Sequence, residues 1–187
     1  MYYLRLLVAS ALVMAGATPA HAAPSDRHCA YRLEPVERTG RVVEARLVRL
    51  GCFETFTEAI EAGSGGTIQL TADVSPRTLS QSDLGEVTPL ASDVLIGTEY
   101  VDATYSTGSG SKSYFASETC SSTTTWEVAY VGDAWNDTFS SGKGFGGCDR
   151  NKKFEHSSFG GTVLTCTPNC SFYGTMNDKV SSLRWRP

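Results

Sequence analysis

A hexapeptide that occurs twice constrains this chain more than anything else in it. Asn136-Asp137-Thr138-Phe139-Ser140-Ser141 is matched by Asn177-Asp178-Lys179-Val180-Ser181-Ser182, 41 positions further on, and both read N-D-x-x-S-S. Each copy follows a Gly-containing turn and an apolar residue: Gly132 to Trp135 in the first, Gly174 to Met176 in the second. A second element accompanies each. Phe154 to Gly161 reads aromatic-x4-aromatic-x-Gly, and Tyr100 to Gly108 reads the same with one extra residue before the glycine. Two aromatics five apart can pack on each other across a bend, and glycine supplies a backbone conformation that a Cβ forbids. Two elements repeated together, at the period of one small β unit, mean that the C-terminal half is built twice from one plan.

The surrounding sequence agrees with a mainly β fold. Long helical periodicity is nearly absent. From Val94 onward, short β-branched and aromatic runs alternate with Gly, Ser and Asn clusters: Val94–Ile96, Trp126–Val131, Thr162–Thr165 and Ser182–Trp185. Upstream, Ala30–Val36 and Val42–Leu50 alternate as half-buried strands do. Thr55 and Glu58 fit a capping box for a short amphipathic helix, which Gly63 closes from the C′ position. A strand over Thr67–Leu70 is predicted next, then a polar loop or linker over Thr71–Leu90 with Pro76 and Pro89. The organisation that follows is a small α+β domain with linker over 23–92 and a β domain over 93–187, with units at about 94–147 and 148–187.

Residues 1–22 read as a processing segment. Arg5 precedes the apolar run Leu6–Ala17, which is too short to span a bilayer, and Ala20-His21-Ala22 supplies an A-x-A site. A secretory signal peptide cleaved after Ala22 is predicted, hence a secreted, extracellular protein. The six cysteines, Cys29, Cys52, Cys120, Cys148, Cys166 and Cys170, are an even count suited to three disulfides in that compartment. Chain locality favours Cys29–Cys52, Cys120–Cys148 and Cys166–Cys170. Removing Arg5 with the signal takes the formal charge from −4 to about −5. The basic residues are scattered, so neither nucleic acid nor an anionic membrane is an expected partner.

The paired motifs resemble the Greek keys of βγ-crystallins in their microbial, calcium-binding form. The resemblance covers residues 94–187. It implies a double Greek-key sandwich and two Ca²⁺ sites, each ion shared between the two motifs. By position, Ser140 and Ser181 become hydroxyl ligands and Asp137 and Asp178 carboxylate ligands. Thr138 and Lys179 contribute backbone carbonyls. Asn136 and Asn177 complete the candidate metal set by bracing each turn through their own backbone. The chemistry stands without the family: Ca²⁺ takes six to eight hard oxygens, and each hexamer offers a carboxylate, an amide oxygen, two hydroxyls and carbonyls. The two middle positions are free to vary if only their carbonyls are used.

Other readings are weaker. Ser140–Gly147 lacks the G-K-[ST] of a phosphate loop and reads as a Gly-rich connector. Gly63–Gly66 lacks G-x-S-x-G and reads as a turn. His156 reads as a solvent-facing hairpin residue and His28 as incidental to the mature N-terminus. No nucleophile–base pair is evident, so a non-enzymatic protein is expected. The chain also resembles secreted bacterial proteins grouped with a metalloproteinase inhibitor of the crystallin fold, which makes an extracellular peptidase an alternative partner. A killer-toxin-like protein of that fold is a further alternative.

Overall fold

The computed structural model describes residues 27–71, 73–85 and 93–187. The expected signal segment and the expected boundary near residue 92 lie outside the described residues. The chain is mainly β, with one α-helix among the described residues. Its strands are β1 (His28–Thr39), β2 (Val42–Phe53), β3 (Val94–Tyr100), β4 (Ser111–Ala116), β5 (Thr125–Val128), β6 (Ser141–Gly144), β7 (Arg150–Phe154), β8 (Val163–Cys166) and β9 (Ser182–Arg186). The helix α1 (Phe56–Gly63) follows β2.

The repeated plan is visible in the pairing. β6, β3 and β4 lie side by side at one end of a nine-stranded array, and β9, β7 and β8 do so at the other. β5 leaves the first unit and pairs antiparallel with β9 of the second. An antiparallel bridge between Gly142 and Cys170 brings a segment of the second unit against β6 of the first. Each unit therefore lends backbone to the other's sheet, as paired Greek keys do. Corresponding residues take corresponding registers: Tyr100 faces Ser111, and Phe154 faces Val163.

The N-terminal hairpin is part of the same array. β1 and β2 pair antiparallel, β1 runs parallel to β4, and β2 runs parallel to β5. The hairpin thus covers the β4 edge of one unit and the β5 edge of the other and joins them in one sheet of order β6-β3-β4-β1-β2-β5-β9-β7-β8. Covering edges removes open backbone from solvent.

The main core gathers side chains from both units and from the hairpin. Trp126, Trp185, Tyr114, Phe139, Val180 and Leu183 are all fully buried there, with Leu33 and Val43 from the hairpin. Gly97 in β3 lets Trp185 approach, since a Cβ at that position would lie 2.4 Å from the indole nitrogen. Glu99 of β3 and Lys153 of β7, equivalent positions in the two units, form an ion pair at the centre of this core. The Tyr173 hydroxyl donates a hydrogen bond to Glu99. Burial pushes the Glu99 carboxyl up, against the pull of Lys153, and pushes the Lys153 ammonium down.

A second core covers the outer face of β3 and β4. Phe56 and Ile60 of α1 pack there with Leu95, Phe115 and Phe145. The capping box forms as expected: Glu58 N–H donates to Thr55 Oγ1 at 3.3 Å, and Thr55 N–H donates to Glu58 Oε2 at 3.0 Å. Gly63, however, is the last helical residue and not a left-handed cap. Its role is space, because a Cβ there would sit 2.1 Å from the Phe115 ring. The strand expected over Thr67–Leu70 makes no ladder. Ile68 instead drops into the second core, its N–H held by Ser64 Oγ at 3.0 Å.

The Gly-rich stretch from Ser140 to Gly147 is also not a plain connector. Ser141–Gly144 is β6, paired with β3. Its glycines permit close packing, since a Cβ on Gly142 would lie 2.1 Å from Tyr173 Oη and one on Gly144 2.1 Å from Asn151 Nδ2. Three disulfides, Cys29–Cys52, Cys120–Cys148 and Cys166–Cys170, match the expected pairing.

His28, expected to be incidental, is buried where β1 meets α1. Its Nδ1 lies 2.9 Å from Ser111 Oγ, and its ring meets Phe56 edge-on. Burial, helped by the neighbouring Arg27 charge and opposed by Glu58, holds its pKa below the usual histidine value. The folded state therefore disfavours the proton. Stability is full above the unfolded value of about 6.5 and falls as pH drops through it. Thermal melts between about pH 7 and pH 5 are expected to show that loss, and His28→Gln is expected to reduce it.

Candidate functional site

The two hexapeptides form two reciprocal loops at one end of the sandwich. Each begins in a left-handed turn, with φ of 58° at Asp137 and 54° at Asp178. Aspartate tolerates this conformation better than most residues with a Cβ. The loops then clasp each other. Asp137 N–H donates to the Val180 carbonyl at 3.3 Å, and Asp178 N–H donates to the Phe139 carbonyl at 3.1 Å. That clasp sets each aspartate beside the serine of the opposite motif. Ser140 Oγ lies 3.3 Å from Asp178 Oδ1, and Ser181 Oγ lies 3.5 Å from Asp137 Oδ1.

The remaining positions have separate duties. Phe139 and Val180 are fully buried in the main core, so the second middle position is apolar by necessity and not free to vary. Thr138 and Lys179 lie toward solvent, and Thr138 Oγ1 donates to the Trp135 carbonyl at 2.8 Å. Asn136 and Asn177 do not brace their own backbone as expected. Each donates from Nδ2 to the carboxylate of the following aspartate, at 2.7 Å and 2.6 Å. Their amide oxygens are buried and accept no hydrogen bond.

The last serine of each motif ties it to the aromatic hairpin of its own unit. Ser141 Oγ donates to the Asp102 carbonyl at 2.6 Å and accepts from Tyr105 N–H at 3.0 Å. Ser182 Oγ donates to the His156 carbonyl at 2.7 Å and accepts from Phe159 N–H at 3.0 Å. The rings pack across each bend as expected, with centroids 5.8 Å apart for Tyr100 and Tyr105 and 5.5 Å for Phe154 and Phe159. The left-handed glycine is Gly161 in the second unit but Gly110, not Gly108, in the first. His156 is exposed, as its sequence position implied.

One oxygen escaped the sequence reading. Ser181 Oγ also donates to the Glu155 backbone carbonyl at 2.8 Å. This carbonyl therefore lies with Ser181 and Asp137 in one cluster. No side chain marks it, because only its main chain takes part. A second hidden support is Lys112, a buried side chain on β4. Its Nζ donates to the Val131 carbonyl at 2.5 Å, at the entrance to the first loop, and lies 3.9 Å from the centre of the Tyr31 ring. Burial brings its pKa down to about 7.

Chemically, the loops present two oxygen-only clusters. Each combines one carboxylate and one hydroxyl from different motifs, with backbone carbonyls nearby. Among the described residues no three His, Cys, Asp or Glu side chains gather as a metal site. A cation held here would be held by one carboxylate with neutral oxygens, which suits a hard ion and not a thiophilic one.

Several solved structures are similar to part of this chain, and among them are βγ-crystallin domains. A double mutant of such a domain from Clostridium beijerinckii is 25% identical and matches 48% of this chain and 96% of its own, with a TM-score of 0.36. A βγ-crystallin from an archaeon is 20% identical over 49% of this chain and 96% of its own, with a TM-score of 0.35. A βγ-crystallin domain from Flavobacterium johnsoniae is 24% identical over 48% and 92%, with a TM-score of 0.33. No family model and no curated protein matches the chain.

Proposed function

We propose that the two N-D-x-x-S-S loops are two calcium sites and that the chain is a non-catalytic, calcium-stabilised extracellular module. The observation that carries this reading is the reciprocal exchange: Ser140 meets Asp178, and Ser181 meets Asp137. One site consists of Ser140, Asp178 and the Lys179 carbonyl. The other consists of Ser181, Asp137 and the carbonyls of Thr138 and Glu155. Hard oxygens in flexible loops suit Ca²⁺, whereas Mg²⁺ demands strict octahedral geometry and dehydrates reluctantly. With about one carboxylate per site, affinity is expected on the order of 10⁻⁵ to 10⁻³ M. Extracellular calcium lies in the range such sites need.

One observation supports the compartment. All six cysteines are paired, as oxidising surroundings allow.

The test is thermal. Millimolar Ca²⁺ is expected to raise the melting temperature, chelation to reverse the rise, and Mg²⁺ to produce little of it. An unchanged melting temperature across a calcium titration would reduce the loops to turn scaffolding.

A further inference from the structure

Among the described residues, the face of β5, β9 and β7 that carries Glu127, Arg184 and Lys152 has no α-helix packed on it, unlike that of β3 and β4. Glu127 is buried there, Arg184 lies against Phe154 and Phe159, and the face is charged in an ordered way. The strand registers place Glu37 opposite Glu44, Glu44 opposite Glu127, Glu127 opposite Arg184, and Arg184 opposite Lys152. One row across β1, β2, β5, β9 and β7 thus runs from acidic to basic. Arg150 and Arg186 form a second cationic pair beside it. Like charges directly opposite each other on neighbouring strands destabilise a sheet. Only the junction is neutralised internally, by the ion pair between Arg184 and Glu127. Among the described residues Glu37, Glu44, Lys152, Arg150 and Arg186 make no ion pair.

We propose that this face is the self-association surface of the protein and that its occupant is a second copy of the same chain. A two-fold axis parallel to the strands, passing between β5 and β9, exchanges β2 with β7 and β1 with β8. Glu44 of one copy then faces Lys152 of the other, and the reverse contact forms at the same time. An isologous interface requires this self-complementarity. The row is about 19 Å long at the usual strand spacing, so one face holds both contacts. A concavity of about 360 Å³ at the acidic end, lined by Glu37, Thr39, Val42, Glu44, Glu127 and Arg184, receives the cationic side chains of the second copy. An acidic ligand could neutralise only the basic half and a basic ligand only the acidic half. A second copy neutralises both.

The experiment is sedimentation equilibrium on the purified chain at low and high salt. The wild type is expected to form a dimer that dissociates as salt screens the contacts. Glu44→Lys alone and Lys152→Glu alone are each expected to be monomeric, because each puts like charges together twice. Mixing the two single variants is expected to restore a dimer, and so is combining them in one chain. Circular dichroism melts of the single variants confirm that the fold is retained. A monomeric wild type at low salt overturns the proposal, including one whose basic half binds an anionic polymer instead. So does a dimer that survives both single reversals, or a mixture of the variants that stays monomeric.

Discussion

Replacing Glu99 with alanine is expected to destabilise the fold by about 3–5 kcal/mol, a large part of the stability of an ordinary domain. The reason is what remains behind. Lys153 is almost wholly inaccessible, and among the described residues its ammonium has only Glu99 as a counter-charge. Without the carboxylate it must stay charged in an apolar core or lose its proton. Tyr173 loses its acceptor in the same step. Lys153→Ala is expected to cost a similar amount by stranding Glu99. The double variant Glu99→Leu with Lys153→Met is expected to recover most of the loss, since well-packed apolar residues can replace a buried pair. Urea denaturation midpoints at unchanged slope measure this. Single variants costing less than about 1 kcal/mol would mean that the charges are not buried as described.

The second large effect concerns calcium. Binding to the folded state alone adds RT ln(1 + [L]/Kd), about 2.7 kcal/mol per site at a hundredfold excess over Kd. Ser181→Arg is expected to remove one of the two increments. The guanidinium replaces a hydroxyl that is nearly buried and places a cation beside Asp137. The site built on Ser140 and Asp178 is expected to persist, so the calcium-dependent rise in melting temperature, read against the variant's own calcium-free melt, falls by about half. Loss of the whole calcium response in that single variant would mean one shared site and not two.

The sequence showed those parts of the molecule that it states twice. The hexapeptides and the aromatic hairpins sit at a fixed spacing, so the paired loops were legible, and the exchange of Ser140 and Ser181 between them was what the resemblance to the crystallin keys implied. Also legible were β1, β2, β3, β5, β8 and β9 and the disulfide pairing, which follow from alternation and chain locality, whereas β4, β6 and β7 were not. Contacts made once, over long separations, were not. Nothing local joins β1 to β4 or β2 to β5, and parallel registers of this kind leave no mark in either strand. Glu99 and Lys153 drew no reading, because each finds its partner 54 positions away. The glycines of β6 looked like linker residues because their reason is the bulk of Tyr173 and Asn151 on other strands. His28 looked incidental until Ser111 and Phe56 came against it. The Glu155 carbonyl had no signal at all, since every residue type at that position offers the same backbone oxygen.

The measurement that tests the central reading most directly is isothermal calcium titration of two double variants against the wild type. Ser140→Arg with Asp178→Ala removes two ligands of one site, because those residues meet across the motifs. Ser140→Arg with Asp137→Ala removes one ligand from each site, although both residues belong to one hexapeptide. The expected stoichiometry is two for the wild type, one for the first double variant and none, or two greatly weakened sites, for the second. Equal loss in both variants, or one site left when a single hexapeptide is disabled, would contradict the exchange of ligands. No calcium heat from the wild type would contradict the sites themselves.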